Sequence, residues 1–234
     1  MCAYPESPSP HYRELPEEAK LLCARVSAPP RLIAHLTLVH DAACTLIESL
    51  AAAFPTLAFD EGLVRFGAAT HDLGKAILTN ELSQSGKQHQ AAGAALLESL
   101  GIPREKARFA FTHGHWDEPG NDSLEDLLVA LADKCWRAKR VERLETILAE
   151  RLSLSTNEPV WNCFDKLDEI ITALGRDADA RPSEMSLRWC ASFSMSHSLA
   201  DMGIHAGFAS FPIVAMQPRE AVWITSWMTS GMCP

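Results

Sequence analysis

His71 and Asp72 stand side by side in the stretch Ala69-Thr70-His71-Asp72-Leu73-Gly74-Lys75, at the end of a largely apolar run. An imidazole next to a carboxylate is hard to bury, and both groups are competent ligands for a divalent metal. Four more such residues fall where the surrounding pattern expects apolar neighbours: His35, His89, His113 and Asp133. Each belongs to a different predicted helix or helix end. Imidazole suits borderline transition metals, and carboxylate adds charge and oxygen ligation for harder ones. A buried Asp133 with no partner is costly, and a divalent cation is one way to satisfy it. Successive residues on a helix point about 100° apart. His71 and Asp72 therefore serve one ion only near a helix end, or Asp72 bridges two.

The elements that must position these residues read as helices. Leu32, His35, Leu36, Val39, Ala43, Leu46, Ile47 and Leu50 repeat at the three-and-four spacing of one buried face, which predicts a helix over 32–54 ended by Pro55. His40 is the alternative to His35 as the first histidine; the Val39 and Ala43 offsets favour His35. Asp60 reads as an N-cap for a helix over 62–72, with Gly74 as its C-cap. Residues 79–86 read as a polar loop. Helix is predicted again over 88–100, and from Pro103 through His113. The longest periodic segment, 124–152, reads as one helix carrying Asp133, and a last helix spans 160–174. A short helix over 11–26 precedes all of these, stopped by Pro29-Pro30. Strand-like alternation is nearly absent before residue 176, so the fold class is all-α, a compact multi-helix bundle. An all-α bundle can direct side chains from several helices into one interior site.

Both ends read differently. Residues 1–10 hold Pro5, Pro8 and Pro10 together with Ser7 and Ser9, a loose tail. Beyond Arg176 no helical or strand period is sustained, and 181–234 reads as an irregular extension with few charges and three Trp. The expected organisation is an N-terminal extension (1–25), one helical domain (26–175) and a tail of unknown role (176–234).

With 234 residues and 47% hydrophobic content the chain can bury a sizeable core. The net charge of -9 argues against a sequence-independent nucleic-acid binder, which needs a basic surface. Lys134, Arg137, Lys139, Arg140 and Arg143 form a basic run, but Glu142 and Glu145 beside it suit a solvated, ion-paired helix face. The seven cysteines form no CxxC pair and read as reduced thiols. No basic-then-apolar leader opens the chain, and no uninterrupted apolar run reaches the ~18 residues of a membrane span. A cytoplasmic protein is expected.

The set His35, His71-Asp72, Asp133 resembles the H…HD…D signature of the HD-domain metal-dependent phosphohydrolase superfamily. The likeness extends to RLIAHLTLV for the first-histidine helix and THDLGK for the HD core. HQAAGAALLESLGIP then resembles the next helix, FTHGHW the following histidine element, and LEDLLVALADKCWRAKR the helix with the final Asp. These occur in the family's order across 31–140. The resemblance implies a helical hydrolase holding one or two divalent ions (Mn, Mg, Co, Ni or Fe). His35, His71, Asp72 and Asp133 would hold the first; His89 and His113, with Asp72 bridging, a second. Metal-activated water would attack phosphorus, and Lys75 would meet a substrate phosphate as a point charge. The expected partner is a small phosphorylated substrate such as a nucleotide, with no long nucleic acid and no membrane. Two departures stand out. No GYP-type motif follows His113, and His113-Gly114-His115 replaces the paired histidines of many two-metal relatives. A di-iron oxygenase of HD type and a non-catalytic nucleotide-binding module are the alternative functions.

Overall fold

Pro30 opens the central helix, at a first-turn position where its missing N–H leaves nothing unpaired. In the computed structural model, which describes residues 12–121, 123–176 and 178, that helix is α2 (Pro30–Ala53). It follows α1 (Glu17–Arg25), which begins only after Pro16 rather than at residue 11. His11 and the N-terminal residues before it lie outside the described residues, as does the expected irregular tail apart from Arg176 and Ala178.

Asp60 caps α3 (Glu61–Thr70), its side chain accepting from the Leu63 N–H at 2.9 Å. The chain then makes a 3₁₀ turn at Leu73–Ala76 and another at Thr79–Leu82. Next come α4 (Gln88–Ser99) and two short segments, α5 (Arg104–Ala107) and α6 (Phe109–Thr112), joined through Arg108 in helical conformation. Ser123 caps α7 (Leu124–Cys135). After it come α8 (Glu142–Thr156), closed by Asn157 in the left-handed region at φ 59°, and α9 (Val160–Arg176). The described residues contain no strand, and the fold is all-α.

Two apolar clusters form the core. Leu46, Ile47 and Leu50 of α2 meet Val64, Leu127, Leu131, Leu148 and Ile171 in one. Leu32 and Leu36 meet Leu22, Phe66, Leu73 and Leu97 in the other. Each fully buried Leu or Ile contributes about 1.5–3 kcal/mol. α2 and α3 supply residues to both clusters, so their facing sides run through the middle of the domain. By length and composition α2 is apolar enough to cross a membrane, but most of its apolar stretch is buried against the other helices. It is the core helix of this bundle.

Three expectations are corrected. The segment 124–152 is not one helix: it breaks between Cys135 and Glu142, with Ala138 in the left-handed region at φ 56°. The break contains no Gly or Pro; it is held by Glu145, which accepts from the Val141 N–H and from Arg140. The loop 79–86 contains an ordered turn with a buried Glu81. Gly74 is not a left-handed cap either. It is where α4 comes closest: a Cβ there would run into the His89 carbonyl and come within 2.8 Å of the Gly93 nitrogen. The missing side chain at Gly74 lets the chain after Asp72 lie directly against α4.

Candidate metal centre

Six side chains converge from five parts of the fold. His35 lies early in α2, His71 caps the C-terminus of α3, and Asp72 follows it. His89 opens α4, His113 follows α6, and Asp133 lies in the last turn of α7. Placement of the last two is coupled. Arg108, Thr112 and Ser123 all donate to buried Asp126, tying α6 to the start of α7.

The six residues form two groups that share Asp72. His35 Nε2 stands 3.3 Å from His71 Nε2, 3.1 Å from Asp72 Oδ2 and 3.7 Å from Asp133 Oδ1. His71 Nε2 lies 3.6 Å from Asp72 Oδ2 and 3.4 Å from Asp133 Oδ1. On the other side, Asp72 Oδ1 faces His89 Nε2 at 3.0 Å and His113 Nε2 at 3.6 Å. Ligands about 2.0–2.2 Å from a common ion lie roughly 3.0–3.6 Å from one another. The observed spacings are of that size. Two sets of three overlap these groups, each with ligand atoms close enough to share an ion: His35, His71 and Asp133, and His71, Asp72 and His113, with His71 common to both.

Hydrogen bonds at the far ring nitrogens prepare the near ones. His71 Nδ1 donates to the Ala68 carbonyl at 3.0 Å, and His113 Nδ1 to the Phe109 carbonyl at 3.1 Å. A carbonyl only accepts, so each Nδ1 carries a proton and Nε2 is the nitrogen left facing the centre. His89 Nδ1 is bonded to Glu81 Oε2 at 2.6 Å. Lys134 holds Asp133 Oδ2 at 2.5 Å, leaving Oδ1 to face the histidines.

The electrostatics favour a charged acceptor set. Burial pushes the Asp72 carboxyl up, but His71, His35 and His89 outweigh it and hold the value well below the usual range. Asp133 is held down in the same way by its bond to His71 and by Lys134. Burial pulls His71 down, yet Asp72 and Asp133 leave it raised. Burial, then the neighbouring His71, push His113 down to about 3, so its imidazole is neutral at ordinary pH. Asp72 Oδ1 and His89 Nε2 are buried without a hydrogen bond. Two carboxylates and four imidazoles, with these orphaned lone pairs, fit a divalent metal.

A cavity of about 50 Å³ adjoins the first group, lined by Arg31, Leu32, His35, Asp72, Lys75 and Leu82. Lys75 reaches Asp72 Oδ2 at 2.6 Å. His40 is elsewhere: it is buried against Cys44, Nε2 to Sγ 3.6 Å, and joins neither group. His115 donates to the Phe111 carbonyl and stacks on the Phe111 ring, also outside both groups. Sequence reasoning missed Glu81 and the Trp136 ring set edge-on to His35 at 5.2 Å. Neither has a short-range motif; a lone Glu in a polar stretch carries no periodic signal.

No curated protein and no solved structure gives a significant match to the chain. The HD domain family model matches residues 19–138, just over half of the chain, and that span contains all six converging residues. The chain therefore belongs to the HD domain family, whose members are mostly metal-dependent phosphohydrolases.

Proposed function

We propose that this protein is a metal-dependent phosphohydrolase acting on a small phosphorylated substrate such as a nucleotide. The observation that carries this reading is Asp72, whose two oxygens face two separate sets of imidazole nitrogens. His35, His71, Asp72 and Asp133 would hold one divalent ion, and His89, His113 and the second Asp72 oxygen another. Bound there, the metals would supply an activated water and stabilise charge developing on phosphorus.

The chain's own residues do the rest. His71 and His113 hold an Nδ1 proton on a backbone carbonyl and turn Nε2 to the centre. Lys134 holds one oxygen of Asp133. Lys75 and Arg31 bring positive charge to the cavity beside His35 and Asp72, where an anionic phosphate would enter. The net charge of -9 favours a small substrate over a long nucleic acid. Among the described residues Cys23, Cys44, Cys135 and Cys163 are buried and form no disulfide, which suits a reducing, cytoplasmic compartment.

The test is phosphate release from a panel of nucleotides and sugar phosphates by metal-stripped protein resupplied with Mn, Mg, Co, Ni or Fe. Release that requires added metal is expected. Two irons per chain with oxygen-dependent turnover would instead support the oxygenase chemistry. Tight nucleotide binding without turnover would support a regulatory module.

A further inference from the structure

Glu81 lies outside the six converging residues, yet its carboxylate is buried and fully engaged. Oε1 accepts from the Gln88 N–H at 3.2 Å, and Oε2 from the His89 N–H at 3.2 Å. These are first-turn donors of α4, which has no side-chain cap of its own, since Lys87 stands at the cap position. The same Oε2 lies 2.6 Å from His89 Nδ1. One carboxylate thus closes the helix end and fixes the ring of the residue that opens it. Gly86 makes this possible: a Cβ there would collide with the Glu81 carboxyl carbon and Oε1.

The consequence appears at the other ring nitrogen. A carboxylate at Nδ1 holds a proton there, which leaves Nε2 as the ring's metal-facing nitrogen. That nitrogen faces Asp72 Oδ1 at 3.0 Å, and both atoms are buried without a hydrogen bond. The two atoms point at a common place that a cation can occupy.

We propose that Glu81 is a positioning residue that aims His89 Nε2 at a second metal ion, shared with Asp72 Oδ1 and His113, and sets the affinity of that ion alone. The proposal rests on the two-ion reading above. Glu81 acts through His89 and touches no substrate. A His89 with no Glu81 behind it is free to carry its proton on Nε2 and donate to Asp72, which closes the second site. His71, by contrast, has the Ala68 carbonyl behind it and is independent of Glu81.

The experiment is calorimetric titration of the metal-stripped full chain with Mn²⁺, for wild type, Glu81→Gln, His89→Ala and the double variant. Wild type is expected to bind two ions. Glu81→Gln should weaken the second by about 10- to 100-fold and leave the first within threefold. In the His89→Ala background Glu81→Gln should cause no further loss of metal affinity, because its route to the ion is gone. A purely structural cap would weaken both ions together, or act equally in both backgrounds, and either result overturns the proposal. So does an unchanged second affinity in Glu81→Gln, or a wild type that binds a single ion. A wild type that binds no Mn²⁺ removes the metal-centre reading itself. Circular dichroism of each variant confirms that the helices are retained; a Glu81→Gln chain that loses them makes Glu81 structural and refutes the assignment.

Discussion

The histidines of α2 separate a ligand from a core residue by their neighbours. His35 Nε2 has three acceptor-type atoms of the cluster within 3.7 Å. His40 is more deeply buried, with the Cys44 thiol 3.6 Å from Nε2, and burial pushes its imidazole to a lower value. His35→Ala should therefore lose metal affinity by more than about 100-fold, beyond the loss of about 10- to 100-fold ascribed to outer-shell groups. His40→Ala should keep its Mn²⁺ affinity and lose stability instead, about 1–3 kcal/mol for the cavity. Paired titration and urea unfolding check both; weakened Mn²⁺ binding in His40→Ala with intact binding in His35→Ala would reverse the assignment. His35 could be preferred from sequence because Val39 and Ala43 place it on the inward stripe. All six named residues come together in space, because ligand-competent side chains at apolar positions are conspicuous. Glu81 was not legible: its partners His89 and Gln88 are reached across a turn rather than at a helical or strand spacing.

At the level of elements, a helix start was readable where a side chain caps locally, as at Asp60, and unreadable where the device comes from a distance. The 135–142 break is such a case. Glu145 and Arg140 fold back on it, and Arg140 also reaches Asp168 on α9, so the apolar period runs on through a bend that it does not encode. Gly74 is the other case. Its role is to let the chain beyond Asp72 touch α4 at His89 and Gly93, backbone against backbone. Gly74→Ala must push these segments apart, and overpacking of this kind costs about 1–3 kcal/mol. It should also weaken Mn²⁺ binding, because Asp72 and His89 lie on the two sides of the contact. A variant as stable as wild type, by urea unfolding, contradicts this packing.

The whole bundle is closed at the α7–α9 corner by the same Arg140 network. Arg140 donates to Glu145 at 3.0 and 2.7 Å and bridges to Asp168. The bond from Arg140 holds the Glu145 carboxyl below its ordinary value of 4.5. A lowered folded-state value means that Glu145 stabilises the fold above its unfolded value, and that this contribution fades as pH falls through the folded one. Glu145→Gln should thus cost stability at pH 7, about 1–2 kcal/mol given the half-exposed Arg140. The gap between variant and wild type should narrow as the pH is lowered below about 4. Urea unfolding at both pH values measures it, and a gap independent of pH would remove Glu145 from this role. The all-α class was legible at this scale because helical period and turn residues agree over most of the chain. The domain's centre was not, since only the packed structure brings α2 and α3 into both apolar clusters.

Phosphate release by metal-stripped protein, with and without Mn²⁺, compared between wild type and Asp72→Ala, tests the central claim most directly. The account predicts release from a small phosphorylated substrate by wild type only when Mn²⁺ is present, and none from Asp72→Ala, which also retains no metal. Equal release by Asp72→Ala, or release by wild type that is indifferent to metal, would contradict it.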